Sequence, residues 1–211
     1  MRASLFVQKL LADEFLGVPH HLRLQSLSDA YIDPDAPPHW RQRDEFSGLN
    51  VLTLGIYVEI LQRWFGPITQ VFAHQKIINP IRYGYDIRIP DMVLILCRFQ
   101  NGMEGVMEFS GIAPFESTNR LQVFGNKGAL EYDFSEDRLR GAQIEDKQLA
   151  EIEVPPELEQ RWSVEEDFIA AVRSPAFIQP QPGFEEGVQY MRVVQAVADS
   201  VINRTEIQVR P

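Results

Sequence analysis

The chain is predicted to fold as an α+β domain, one large, mainly antiparallel sheet with helices on a single face, and three observations lead there. Strand-like alternation recurs in sequential pairs joined by turn residues. Helical spacing is confined to a few separate segments. Few helices cross over between consecutive strands, as a parallel sheet would require.

In chain order, residues 5–16 carry apolar side chains at Phe6, Val7, Leu10, Leu11 and Phe15, and residues 20–28 alternate as a strand does. Residues 29–38 form a loop with three prolines and three carboxylates, leading into Trp40, Arg41, Gln42 and Arg43. In the run 46–66, Val51, Leu54, Val58, Leu61 and Phe65 mark one helical face and Leu52, Ile56, Ile60 and Trp64 the adjoining one, so the helix is buried on most sides. Ser47 or Asn50 can cap its start, and Gly66-Pro67 ends it. Thr53 and Tyr57, four apart, are expected to point the same way, with Gly55 between them leaving room for a close approach.

Residues 68–78 read as a long strand and 79–90 as an irregular connection. Residues 92–100 and 105–112 form a hairpin around Asn101-Gly102, a strong turn signal. Residues 119–125 and 129–134 pair around the turn 125–128, with weaker strands at 138–143 and 148–154. The period then changes to helical at 164–173 and 184–203, with Pro175, Pro180 and Pro182 between the two helices.

Composition narrows the function classes. With 211 residues the chain supports one domain with a sizeable core. A formal charge of −10 and a pI near 4.9 argue against nucleic acid or an anionic membrane as partner, because both repel an acidic surface. Cys97, the only cysteine, lies in a strand-like run and reads as buried, which fits a reducing cytoplasm. No apolar run approaches the ~20 residues of a membrane span, and no signal peptide is recognisable at the N-terminus. The histidines at 20, 21, 39 and 74 lack metal-ligand spacing, and no G-x-S-x-G elbow is present. Glu165-Glu166 and Glu185-Glu186 stand near helix starts, where acids complement the macrodipole.

From Gly48 to Tyr57, followed by residues 61–66, the helix resembles the G-G-G-x-x-x-D-x-G-x-H and L-L-R-W-L-x-G segments of the Gfo/Idh/MocA group of sugar-type dehydrogenases. Gly55-Ile56-Tyr57 is similar to the Gly-Ile-Tyr branch that includes glucose-fructose oxidoreductase and dihydrodiol dehydrogenase. Residues 101–109 and 119–130 resemble the family's central hairpins, and 184–209 its closing helix and strand. The resemblance implies residues 1–18 as a helix carried over from the end of a Rossmann half and residues 19–211 as the family's C-terminal domain. No two of the 13 glycines are two residues apart, so no G-x-G-x-x-G turn for a dinucleotide can be written.

What the resemblance implies for function follows. NAD or NADP would be used by the full-length or assembled enzyme, with none expected on this chain alone, and the Rossmann half would come in cis or in trans. Tyr57 would relay the proton of a substrate hydroxyl. Thr53 stands where the family usually has aspartate and cannot supply its negative charge. Trp40, Arg41 and Arg43 lie where family members contribute groups that bind a sugar-like substrate. The open sheet face would pack against a second subunit, giving a homodimer or larger assembly. The alternative is a non-catalytic assembly or ligand-binding module that kept the sheet and lost the chemistry. For Tyr57 the competing assignment is a core tyrosine, and for the loop residues a tryptophan covering a core edge among solvated arginines.

Overall fold

The computed structural model describes residues 1–161, 163–174 and 182–210. Pro175 and Pro180 of the predicted helix separator lie outside them. Among the described residues five α-helices, α1 (Ser4–Ala12), α2 (Asp44–Ser47), α3 (Leu54–Phe65), α4 (Val164–Arg173) and α5 (Phe184–Asn203), accompany eleven strands. Nine strands form one sheet in the order β10-β9-β8-β7-β1-β6-β5-β2-β11. These are β1 (Pro19–Leu27), β2 (Ile68–Lys76), β5 (Met92–Phe99), β6 (Glu104–Ser110), β7 (Asn119–Gly125), β8 (Gly128–Asp133), β9 (Arg138–Gln143), β10 (Ala150–Glu151) and β11 (Ile207–Gln208). The short pair β3 (Ile81–Arg82) and β4 (Tyr85–Asp86) stands apart within the predicted irregular connection.

The α+β expectation holds, and the hairpins β5–β6 and β7–β8 form as the turn residues dictate. The sheet has one feature that local patterning does not encode. β1 inserts between β6 and β7, parallel to β6 and antiparallel to β7. Among the described residues it is the only parallel contact in the nine-stranded sheet, and it lays the C-terminal ends of two strands side by side, Leu27 opposite Ser110.

Alternation sorts the two faces. Val93, Ile95, Cys97 and Phe99 of β5 are buried, together with Leu22 and Leu24 of β1 and Met107 and Phe109 of β6. Val58, Leu61 and Phe65 of α3 and Val193, Val194 and Val197 of α5 close the same core, and Ala3 and Val7 at α1 join it. Burial raises the Cys97 thiol to about 12, with the nearby Glu104 charge adding to the effect. The sulfur therefore behaves as a core hydrophobe rather than a nucleophile. On the opposite face, in-register Phe72, Leu96 and Val106 form an exposed apolar row that continues into Arg23 and Gln122.

Three sequence expectations need correction. The strand anticipated at 148–154 contracts to Ala150–Glu151 at the sheet edge, where both residues are exposed and Pro155 follows closely. The α-helix anticipated from Val51 begins at Leu54. Val51–Thr53 is a 3₁₀ turn with left-handed backbone at Leu52 (φ 47°) and Thr53 (φ 63°). Asn50 does cap the helix, its Oδ1 accepting the Gly55 amide at 2.7 Å. A Cβ on Gly55 would lie 3.0 Å from that oxygen, so the space left by this glycine is filled by the cap.

Left-handed backbone at a β-branched residue costs about 1–2 kcal/mol. Thr53→Gly is expected to raise the melting temperature by about 2–4 °C, the shift that ~1 kcal/mol produces in a chain of this size. Differential scanning calorimetry reads this directly; an unchanged or lowered Tm would show that the turn is unstrained. Among the described residues no helix is long and apolar enough to cross a membrane.

Candidate functional site

The C-terminal ends of the parallel pair open onto a cleft. Ser26 and Ser28 come from the end of β1 and the residues after it, and Ser110 and Gly111 from the end of β6. Ala30, Tyr31, Arg41, Leu52 and Thr53 complete the walls. Backbone bonds stitch these segments together: the Ser28 amide donates to the Ser110 carbonyl at 2.8 Å, and the Tyr31 amide to the Gly111 carbonyl at 2.6 Å. A Cβ on Gly111 would meet the Tyr31 ring at 2.3 Å, so only glycine lets this ring lie against the strand end.

Tyr57 stands one hydroxyl behind the cleft. It is 8% exposed on the first turns of α3, with its ring 5.6 Å from Phe109 and 5.3 Å from Phe134. Its hydroxyl donates to Asn119 Oδ1 at 2.7 Å and accepts a long bond, 3.4 Å, from Ser26 Oγ. Ser26 also faces the cleft, so the arrangement is a hydroxyl pair reaching from solvent into the core. Such a pair can pass a proton by reorienting two O–H groups.

Thr53 reaches the cleft through the left-handed turn rather than through helical i,i+4 spacing with Tyr57. Its Oγ1 donates to the Leu52 carbonyl at 2.5 Å, leaving oxygen lone pairs to accept from a ligand. Arg41 is half-buried, its guanidinium carbon 4.1 Å above the Trp40 ring. Trp40 is half-exposed and acts as a shelf for Arg41. The His39 ring accepts the Arg41 amide, and Gln42 Oε1 accepts the His39 amide, fixing the short turn that carries both side chains.

Arg43 is placed elsewhere. Its Nε donates to Glu45 at 2.7 Å, and its guanidinium lies against Phe46 and Tyr85. The Tyr85 hydroxyl donates to the other Glu45 oxygen at 2.7 Å. That bond, with backbone hydrogen bonding and the Arg43 contact, lowers the Glu45 carboxyl to about 2. The structure thus brings Arg41 and Thr53 together, sets Trp40 beneath Arg41 and Tyr57 behind Ser26, and occupies Arg43 in an outer cluster.

Residues that local sequence could not reveal complete the site. Ser26 and Asn119 lie 31 and 62 positions from Tyr57 and meet it only through the sheet. Arg82, on the small β3–β4 hairpin, is 1% exposed. Its two terminal nitrogens donate to the carbonyls of Tyr31 and Asp33, and Asn79 Nδ2 also donates to the Tyr31 carbonyl, at 3.1 Å. Asp91, also 1% exposed, accepts the Ile78 and Asn79 amides at 2.6 and 2.9 Å. A buried guanidinium and a buried carboxylate thereby pin the loop that presents Tyr31. Burial raises the Tyr31 phenol above its ordinary range, opposed by the Arg41 and Arg82 charges. Among the described residues no cluster of three histidines, cysteines or carboxylates could hold a metal.

Comparison with known proteins agrees with this architecture. An oxidoreductase domain protein from Kribbella flavida superposes with a TM-score of 0.84 at 23% identity, over 99% of this chain and 63% of that one. Levoglucosan dehydrogenase in complex with NADH superposes with a TM-score of 0.86 at 19% identity, over 98% and 62%. An NAD binding oxidoreductase from Klebsiella pneumoniae gives 0.82 at 21% identity, over 99% and 64%. The chain therefore spans less than two thirds of the length of these structures. No curated protein matches it. The family model of the GFO/IDH/MocA C-terminal domain matches residues 5–131, so the chain belongs to the GFO/IDH/MocA C-terminal domain family.

Proposed function

We propose that this chain forms the substrate-binding and oligomerisation half of a nicotinamide-dependent oxidoreductase acting on a sugar, polyol or related hydroxy compound. The observation that carries the reading is the convergence of the Ser26–Tyr57 hydroxyl pair, Thr53 and Arg41 at one cleft of a family domain. Similar solved structures include levoglucosan dehydrogenase bound to NADH with L-sorbose, so a sugar and a nicotinamide meet on a related scaffold.

This chain offers no glycine-rich turn on which a dinucleotide could rest. NAD or NADP would be held by a Rossmann half, where it supplies hydride-accepting chemistry. The chain's own residues have separate tasks. Arg41 and Thr53 orient substrate oxygens, and Trp40 holds Arg41 in place. Ser26 stands at the reacting hydroxyl, and Tyr57, positioned by Asn119, takes a proton through it as the phenolate in oxidation and returns one through it as the phenol in reduction. The phenol's two existing hydrogen bonds and Thr53 in place of a carboxylate favour the alternative, a binding module without turnover.

NAD(P)-linked oxidation of a sugar and polyol panel, by this chain joined to a Rossmann half, separates the two. Turnover that requires both halves supports the enzyme. Saturable sugar binding without turnover supports the module.

The open sheet face supplies the assembly surface in this proposal, as Phe72, Leu94, Leu96 and Val106 form a contiguous exposed apolar patch. Leu96→Arg is expected to shift native mass to the monomer while leaving the fold intact. A wild-type chain already monomeric at micromolar concentration would remove the oligomerisation role.

A further inference from the structure

Resting on the reading of this cleft as a substrate site, we propose that its substrate carries an oxyanion, a carboxylate or phosphate on a sugar-like frame, which Arg41 binds. The chain has 30 acidic residues against 20 basic ones, so an arginine at its surface has carboxylates within easy reach. Arg43, two positions away, takes Glu45. Arg41 takes none: among the described residues no carboxylate lies within ion-pair distance of it, and no acidic residue lines the cleft. Asp91, the buried carboxylate that holds the residues packed against the Tyr31 loop, already accepts two backbone amides.

The guanidinium is therefore held on the Trp40 ring, half-buried, with its hydrogen-bonding edge uncommitted in a wall of hydroxyls. Two of those hydroxyls, on Ser28 and Tyr31, make no hydrogen bond to any described residue and can donate to the same oxyanion. A planar fork beside neutral donors, with no competing acid, suits bidentate recognition of a carboxylate or phosphate better than recognition of a neutral polyol. In a protein of net charge −10, such a locus also gives selectivity, because the surrounding field rejects anions everywhere else.

The test is an amide-resolved NMR titration of the chain with D-glucuronate, D-glucose 6-phosphate and D-glucose, repeated on Arg41→Gln and Arg41→Lys. Affinities down to the millimolar range are visible this way. One charged hydrogen-bonded contact predicts that the anionic sugars bind about 10-fold or more tighter than glucose. Arg41→Gln should abolish that advantage and Arg41→Lys keep part of it. The tighter of the two anions identifies the carboxylate or the phosphate as the oxyanion source. Equal binding of glucose and the anions, unaffected by Arg41→Gln, overturns this inference and leaves the sugar site standing. No shift at Ser26, Ser28, Tyr31 or Thr53 with any sugar overturns the site and the inference together. The spectrum of each variant reports its own folding, and Arg41→Lys keeps the test open if Arg41→Gln unfolds.

Discussion

Tyr57→Phe, made in the chain joined to a Rossmann half, is expected to lower kcat for substrate oxidation by about 10²–10⁴-fold, the range over which a positioned proton acceptor contributes. KM should change little, because the phenol lies behind Ser26 rather than on the cleft wall. The substitution also leaves Asn119 Oδ1 without its donor in a partly buried setting, a stability cost of about 1–2 kcal/mol. Steady-state kinetics together with thermal unfolding distinguish the two effects. If stability falls while kcat is unchanged, Tyr57 is a core tyrosine and the proton leaves by another route. Asn119→Ala serves as the companion variant, since it removes the anchor and keeps the phenol. It should lower kcat less than Tyr57→Phe does.

Arg82→Ala is expected to have the largest effect on the integrity of the cleft. The guanidinium is 1% exposed and bridges the carbonyls of Tyr31 and Asp33. Removing it strands the Asp33 carbonyl, leaves the Tyr31 carbonyl with Asn79 alone, and opens a void the size of a long side chain. Hydrogen bonds to charged groups are worth about 1.5–3 kcal/mol each in net terms. A loss of about 3 kcal/mol in all corresponds to a fall in melting temperature of about 6–12 °C for a chain of this length. Hydrogen exchange should show where the loss is felt: amides of residues 29–33 accelerate strongly, while those of β5 and β6 respond only to the global change. Uniform acceleration throughout the sheet would mean that Arg82 serves the core and not the loop.

The sequence made most of the fold legible because its signals were local. Asn101-Gly102 closed a hairpin, alternation in β5 separated buried Val93, Ile95 and Cys97 from exposed Leu94 and Leu96, and Gly66 ended α3. The insertion of β1 between β6 and β7 was not legible, because strand order depends on partners about 80–100 residues away, which no periodicity records. Separations of 31 and 62 positions likewise hid Ser26 and Asn119 from a reading centred on Tyr57.

The start of α3 shows a different limit. Apolar spacing at Val51, Leu52 and Leu54 is compatible with a continuous helix, yet the Asn50 cap on Gly55 fixes the first turn later and forces Leu52 and Thr53 into left-handed backbone. Strained backbone of this kind concentrates at functional sites. Here it brings Thr53 to the cleft wall. Arg41 and Arg43 were equivalent as sequence; Glu45 and Tyr85 distinguish them in space.

The most direct test of the central claim, a substrate half that works with a separate nicotinamide half, is a titration of NADH and NADPH fluorescence. It would compare the 211-residue chain alone, the Rossmann half alone, and the two joined. Saturable binding is predicted only where the Rossmann half is present, and it should tighten when a sugar ligand occupies the cleft of the joined protein. Cofactor binding to this chain by itself would contradict the assignment. So would a joined protein whose cofactor affinity is indifferent to every sugar and which transfers no hydride.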